Sequence, residues 1–408
     1  MFETAEAITI EEILEKEWIS TAFQPLISIK RKALLGVEAL ARCTAPGEDI
    51  PPTEMFRLAA EAGKLLELDR MCRKKALEAF APIHVQNRGL IVSINVDGYA
   101  IDSDVVGSGT LIHQVKALGI SPNNVLIEIV ESRAKDSQAL EDFVSSYRKN
   151  GFLIALDDMG TGHSNLDRIP LLKPDVLKLD RSLVSGVAGH MTRLEVVKSF
   201  VQMASRLGSL ALAEGVERQE DILCLLEIGV DVFQGYYFGR PAMRMARDEI
   251  VAERIDLLAA KFKETATERF TAQKELYASH DALVLGLCKR LADVSTVGLD
   301  RTLTCFIDES DNIECLYVLN ASGVQISDTV CNPAKLRKRK RFIYEPARLG
   351  ADHSLKEYFL PLRAGLPKFT TQPYISLASG NRCITLSARY QAPDGRSCIL
   401  CADIDHKD

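Results

Sequence analysis

The sequence predicts an α/β chain whose residues 1–243 form a closed (β/α)8-type, TIM-like barrel, followed by a linker helix over 244–292 and a small α+β domain over 293–408. Three observations carry this reading. Between Glu38 and Gln234 apolar runs recur, each ending in a carboxylate, an amide or a lysine, and nearly every gap between them is long enough for a helix. From Met243 to Leu285 there is neither Gly nor Pro, while Ala, Glu, Arg, Lys and Leu abound. From about Val294 onward short β-like runs alternate with turns.

The barrel runs are Leu35–Val37 into Glu38, Leu90–Ile94 into Asn95, Val125–Ile127 into Glu128, Phe152–Leu156 into Asp157 and Asp158, Val176–Leu177 into Lys178, and Leu210–Ala213 into Glu214. Strands buried on both faces read as continuous apolar runs, and alternation with helices gives a parallel sheet. In a closed barrel of this kind the ends of the strands converge on one mouth. Glu38, Asn95, Glu128, Asp157, Asp158 and Glu214 then meet there, and five carboxylates sharing a cleft at neutral pH require cations. All-oxygen ligands suit Mg2+ or Mn2+, whereas strand ends almost free of His and Cys argue against zinc. The residues alone therefore point to a metal-assisted hydrolase.

Seven motifs in order carry a resemblance. They are Phe23-Gln24-Pro25-Leu26 with Glu38-Ala39-Leu40-Ala41-Arg42, Ser93-Ile94-Asn95, Glu128-Ile129-Val130-Glu131-Ser132, Asp157-Asp158-Met159-Gly160-Thr161-Gly162, Lys178-Leu179-Asp180, Ala213-Glu214-Gly215-Val216-Glu217, and Phe233-Gln234-Gly235-Tyr236. From about Ile10 to Met243 the chain resembles the EAL-domain phosphodiesterases that hydrolyse cyclic di-GMP. The resemblance implies a product, linear 5'-pGpG, and a role for each matching residue. Glu38, Asn95, Glu128 and Asp157 would hold a first divalent cation; Asp157, Asp158 and Glu214 would hold a second. Lys178 would hydrogen-bond the attacking water, its pKa lowered by burial. Glu217 and Gln234 would support Lys178, the metal ligands or the substrate. Gln24, Leu40, Arg42 and Gln234 would meet the substrate, Arg42 by clamping a phosphate oxygen. Glu131 would anchor the loop after Asp158, in which Met159 and His163 replace an aromatic and a tyrosine common in the family. Calcium, looser in coordination, would bind in place of Mg2+ and inhibit. The alternative is a catalytically silent cyclic di-GMP receptor that signals to a partner protein.

Blander readings apply to other positions. Asp180 equally suits a helix cap, Glu61 and Asp69 a solvated helix face, His163 a loop-packing role, and Tyr236 and Tyr237 packing on the last strand.

With 47% hydrophobic and 26% charged residues, the 408-residue chain has the composition of a globular protein with two cores. A net charge of -6 gives no general attraction to a nucleic-acid polymer. No apolar run reaches the roughly 18 residues a membrane helix needs, and the start Met1-Phe2-Glu3-Thr4 is acidic, so a cytoplasmic protein with mostly reduced thiols is expected. The long helix has an apolar stripe broken by polar positions, and a homodimer is expected. A short helix is expected around Glu11–Glu17.

In the C-terminal part, β-like runs are read at Leu303–Ile307, Glu314–Leu319, Val324–Ser327, Arg382–Tyr390 and Ser397–Asp403. Leu316–Gly323, with Tyr358-Phe359-Leu360 and Thr385-Leu386-Ser387, resembles a PAS-like or Cache-like sensory domain. A small-molecule signal or a protein partner is expected there. Cys398 and Cys401 invite a redox or metal reading, but on a strand residues i and i+3 face opposite ways and read as core thiols. The basic run 335–341 reads as a solvated loop.

Overall fold

The computed structural model describes residues 8–96, 109–129, 137–160, 166, 168–243, 248–336 and 345–406. The chain divides into two compact units at Thr267/Glu268. The boundary lies within a helix of 44 residues, Asp248–Leu291, as the Gly- and Pro-free composition leads one to expect. Among the described residues no helix is long and apolar enough to cross a membrane.

The first unit opens on a helix, Ile10–Glu15, whose Thr9 and Glu12 form a reciprocal capping box. Nine strands follow among the described residues: β1 (Ile19–Ser28), β2 (Ala33–Ala45), β3 (Glu48–Ile50), β4 (Ile91–Val96), β5 (Val125–Ile129), β6 (Leu153–Met159), β7 (Val176–Leu179), β8 (Leu210–Ala213) and β9 (Val232–Phe233). Eight of them close a barrel in the order β1-β9-β8-β7-β6-β5-β4-β2, and β2 pairs back with β1. The short β3 extends β2.

From β2 onward the barrel strands are parallel, but β1 runs antiparallel to both β2 and β9. Only four residues join β1 to β2, too few for the crossover that parallel strands need. Glu38 consequently lies in the middle of β2 rather than at a strand end, because pairing with β1 continues as far as Ile19 opposite Cys43. Gly36 is required where β2 approaches β4: a Cβ there would meet the Ile91 carbonyl oxygen at 2.3 Å.

Outside the barrel, strand residues such as Val92, Ile127, Ile154 and Leu177 pack on apolar helix faces in one continuous core, which Ile255 and Leu258 of the long helix join. The helix Leu65–Gln86 contributes Ala76, Leu77 and Phe80 to it. Asp69 on that helix is 4% exposed, not solvated, and pairs with Arg73 one turn on, whereas Glu61 is exposed as expected. An apolar environment on this face forces the acid to keep a cation beside it.

The second unit has an antiparallel sheet of β10 (Ile313–Asn320), β11 (Val330–Cys331), β12 (Lys368–Thr370), β13 (Tyr374–Ile375), β14 (Arg382–Gln391) and β15 (Ser397–Asp405). The order is β11-β10-β15-β14-β12, with β13 also on β14. Asn320 turns the chain after β10, its Oδ1 accepting from Ser322 N at 3.0 Å and Val324 N at 2.9 Å. One sheet face, with Leu316, Val318 and Leu400, packs on Val284, Leu287 and Leu291 of the long helix and on the helix Leu299–Asp308.

Leu303–Ile307 is thus helical, not a strand. Leu299, Leu303, Phe306 and Ile307 recur at helical spacing and all face the core. Val324–Ser327 makes isolated bridges, Gln325 to Leu319 and Val324 to Asp352, and is not a continuous strand; buried Gln325 turns its side-chain amide to Ser327 O and Thr329 Oγ1. Cys398 and Cys401 lie in cores on opposite faces of the sheet. The part of the basic run beyond Leu336 lies outside the described residues.

Candidate active site

The barrel interior is built in two layers, and one offset of two residues generates both. Leu26, Leu126, Ala155, Val176, Leu212 and Val232 meet in an inner apolar cluster. Side chains two apart on a strand share a face. The next inward residue toward the mouth is therefore Gln24, Glu128, Asp157, Lys178, Glu214 or Gln234 on the respective strand or just past its end. Gln24 precedes Leu26 rather than following its partner because β1 runs the other way. On β4 the same rule lines up Ile91, Ser93 and Asn95.

Lys178, 1% exposed, is the hub of this polar layer. Its Nζ lies 2.6 Å from Glu214 Oε1, 2.8 Å from Glu128 Oε2, 3.3 Å from Asp157 Oδ1 and 3.9 Å from Glu38 Oε1. Gln234 donates its amide to Glu38 Oε2 and, at 3.0 Å, to Gln24 Oε1, and Gln24 in turn donates to Gly239 O at 3.2 Å. Asn95 donates to Glu38 Oε1 at 3.1 Å.

Ser93 belongs to the Ser93-Ile94-Asn95 motif, and the sequence alone does not indicate a role for it. Its Oγ donates to Glu128 Oε1 at 2.5 Å, which ties that carboxylate to β4. Its position two residues before Asn95, on the same face, is the signal that finds it. Gly235 lets the chain after Gln234 press against β8's exit: a Cβ there would meet Val216 O at 2.1 Å.

Charge in so dry a site is shared rather than assigned. Burial opposes ionisation of Glu38, but the Lys178 ammonium and the Gln234 and Asn95 amides outweigh it and hold the carboxyl below the usual range. Burial, with repulsion from Glu38, pushes Glu128 well above that range. Burial raises Glu214 to about 8 despite Lys178. Lys178 departs from the sequence expectation: burial does pull it down, but Glu128, Glu214, Glu38 and Asp157 together push it well above the ordinary lysine value. A lysine ringed by acids is held as an ammonium.

Asp158 follows at φ +56°, a left-handed turn that Asp tolerates, with its N–H donating to Asp157 Oδ1 at 2.8 Å. Leu40 and Arg42 follow Glu38 on the same face of β2, and the half-buried Arg42 spends one N–H on Ala41 O at 2.8 Å. Glu217 is not brought to Lys178; it is exposed and pairs with Arg181 at 3.0 Å. Asp180 caps the helix beginning at Arg181, accepting from Ser182 N at 2.8 Å. Glu131 and His163 lie outside the described residues.

Among the described residues no three His, Cys, Asp or Glu side chains close on a point as metal ligands; the acids close on the Lys178 ammonium. The donor set nevertheless fits hard divalent cations. It is all oxygen, Glu38, Glu128 and Asp157 within it are buried, and it holds more carboxylates than one lysine can neutralise. Gln234 Oε1 is also buried without a hydrogen-bond partner, an acceptor left for a group the chain does not supply.

The model of the EAL domain family matches residues 7–241. The chain belongs to the EAL-domain family. Cyclic di-GMP phosphodiesterase RocR of Pseudomonas aeruginosa is 27% identical over 59% of this chain and 62% of its own length. Probable cyclic di-GMP phosphodiesterase PdeB of Escherichia coli is 26% identical over 57% of this chain and 44% of its own. The chain spans only 27 to 62% of the length of such curated relatives.

Among solved structures, the Bacillus subtilis YkuI protein, with an EAL domain and in complex with substrate c-di-GMP and calcium, shares the fold of both units. Its TM-score is 0.82 at 23% identity, covering 98% of this chain and all of that one. A manganese and cyclic di-GMP complex of Klebsiella pneumoniae BlrP1 is 29% identical over 55% of this EAL chain and 56% of that one, at a TM-score of 0.50.

Proposed function

We propose that this chain hydrolyses cyclic di-GMP to linear 5'-pGpG with two divalent cations, Mg2+ or Mn2+, and that its C-terminal domain, PAS-like or Cache-like, regulates the reaction through the linker helix. The observation that carries the reading is the buried layer in which Glu38, Glu128, Asp157 and Glu214 surround Lys178 at the barrel mouth. Relatives bearing the phosphodiesterase name, and related folds holding cyclic di-GMP with calcium or manganese, support it.

Glu38, Asn95, Glu128, Asp157, Asp158 and Glu214 would hold the cations. Bound there, these ions supply a nucleophilic water at neutral pH and offset charge developing on the phosphate. Lys178 directs its N–H bonds at the attacking water, and it yields a proton more readily once the acids around it are otherwise neutralised. Arg42, on the Glu38 face of β2, turns its remaining N–H groups to a phosphate oxygen. Gln24, Leu40 and Gln234 line the approach, with Gln234 Oε1 free to accept from the nucleotide or its water. Glu217 acts from the periphery, and Glu131 anchors the loop after Asp158. The protein works in the cytoplasm as a homodimer; Phe270 and Tyr277, exposed and seven residues apart on the long helix, support self-association.

The test is turnover of cyclic di-GMP by the full chain with Mg2+ or Mn2+, following pGpG by chromatography, beside Glu38→Ala. Product from the parent and none from the variant, with weakened metal-dependent nucleotide binding, is the expected result. Binding without product from the parent moves the chain to the receptor class, and unchanged turnover in Glu38→Ala removes the site assignment.

A further inference from the structure

The C-terminal unit contains a cavity of about 490 Å3, on the sheet face opposite the long helix and the helix Leu299–Asp308. That size is in the range of small-molecule sites, roughly 300–1,000 Å3. Its wall is aromatic. Tyr317 stands edge-on to Tyr358 with centroids 5.9 Å apart, and the His353 ring lies 5.3 Å from Tyr317. Tyr374 contributes a further ring to the lining.

One acid is buried in this wall. Asp403 is 2% exposed, accepts from Thr385 Oγ1 at 2.8 Å and Ser376 Oγ at 3.1 Å, and pairs with no cation in either bond. Tyr374 OH and Thr385 Oγ1 are 2.6 Å apart; because Thr385 donates to Asp403, Tyr374 donates to Thr385. A carboxylate offers about four lone-pair sites, so Thr385 and Ser376, with Tyr374 also acting on it, still leave Asp403 able to accept from a ligand. Burial raises its pKa to about 6, below neutrality.

The exposed lining has the same sign. Glu345, Asp352 and Glu357 line the cavity, against Lys356 as the cationic side chain among the described lining residues. Burial, then Lys356, lowers the His353 pKa, so the imidazole adds no charge at neutral pH. Its Nδ1 is 2.6 Å from Tyr358 OH, while Nε2 is buried with no hydrogen-bond partner.

Aromatic rings with a buried carboxylate and an acidic opening are the chemistry that recognises a positively charged nitrogen. Among the described lining residues acids outnumber cations, and no arginine is there to receive an anion. We propose that this cavity is a binding site for a small organic cation, an alkyl- or methylammonium compound, with Asp403 as its counter-charge. The site lies wholly within the second unit, and its occupancy does not depend on the phosphodiesterase reading.

The full chain is titrated by calorimetry with choline, putrescine and spermidine, beside glycerol and citrate as neutral and anionic controls. Saturable binding of at least one cation and of neither control is expected, unchanged in Glu38→Ala. Asp403→Asn should weaken it at least tenfold. Because that buried substitution can disturb folding, Asp352→Asn with Glu357→Gln at the exposed lining serves as a second test: affinity should fall several-fold and lose much of its salt dependence. Binding of citrate or glycerol in preference, cation binding indifferent to both variants, or no saturable cation binding up to about 10 mM overturns the assignment.

Discussion

Replacing Lys178 with Ala removes the one ammonium among four acids, and the structure sets the size of the effect. Lys178 is 1% exposed and within 3.3 Å of Glu214, Glu128 and Asp157. Deleting one partner of a buried ion pair costs about 3–5 kcal/mol, because the remaining charge is left uncompensated. Protonation limits the loss here, since Glu214 already titrates near 8 and Glu128 well above the usual range. The lower half of that range is therefore expected at neutral pH. For a unit of this size 1 kcal/mol moves the melting temperature by about 2–4 °C, so the barrel transition should drop by about 6–15 °C in EDTA. Saturating Mn2+ should recover much of the difference by replacing the lost positive charge. In the same variant cyclic di-GMP turnover should fall about 100-fold or more while affinity is largely kept. Calorimetric scans with and without metal, paired with single-turnover assays, make both measurements. A melting temperature unchanged in EDTA would refute the counter-charge role, and a loss confined to affinity would make Lys178 a substrate clamp.

Ser93→Ala leaves Glu128 Oε1 without its 2.5 Å donor in a fully buried position. It should cost about 1–3 kcal/mol of barrel stability and weaken Mn2+ binding, both read from metal titrations of the melting temperature; a silent substitution would mean that Glu128 is positioned by other contacts. Gly235→Ala places a Cβ 2.1 Å from Val216 O and should displace Gln234, raising KM for cyclic di-GMP more than it lowers kcat, which steady-state kinetics would check. Asp403 carries a pH signature. Its pKa is raised from 3.8 to about 6, so the folded state binds the proton more tightly, and the stability this gives is full below about pH 4 and is lost as pH rises to about 6. The swing is at most about 3 kcal/mol, and the second unit's melting temperature should fall across that window in the parent but not in Asp403→Asn; equal slopes would sink the argument.

Much of the barrel and its site is legible in the chain because both are written in local periodicity. Continuous apolar runs mark strands covered on both sides, and the residue two beyond an inner apolar position must face the same way. Glu128, Asp157, Lys178, Glu214 and Gln234 are placed by that rule. The long helix is equally local as far as Leu285, for a stretch without Gly or Pro and rich in helix formers has little else to become, and it runs on through Gly286 to Leu291.

What tertiary structure alone decided depends on groups distant in sequence. The antiparallel direction of β1 follows from closing a barrel through a four-residue loop. Leu303–Ile307 satisfies a strand pattern and a helix pattern alike, and the core it meets selects the helix. Asp69 reads as solvated until the face that covers it is known. The charge on Lys178 cannot be read from burial alone, because burial and four carboxylates act in opposite directions and distance decides between them. His353, Tyr374 and Asp403 carry no motif and Tyr317 lies in a segment read only for its strand and turn, yet the antiparallel sheet brings all four to one cavity. Sequence spacing records which face a residue takes, whereas the energy of a charge depends on every neighbour within a few ångströms, and only the folded chain supplies those neighbours.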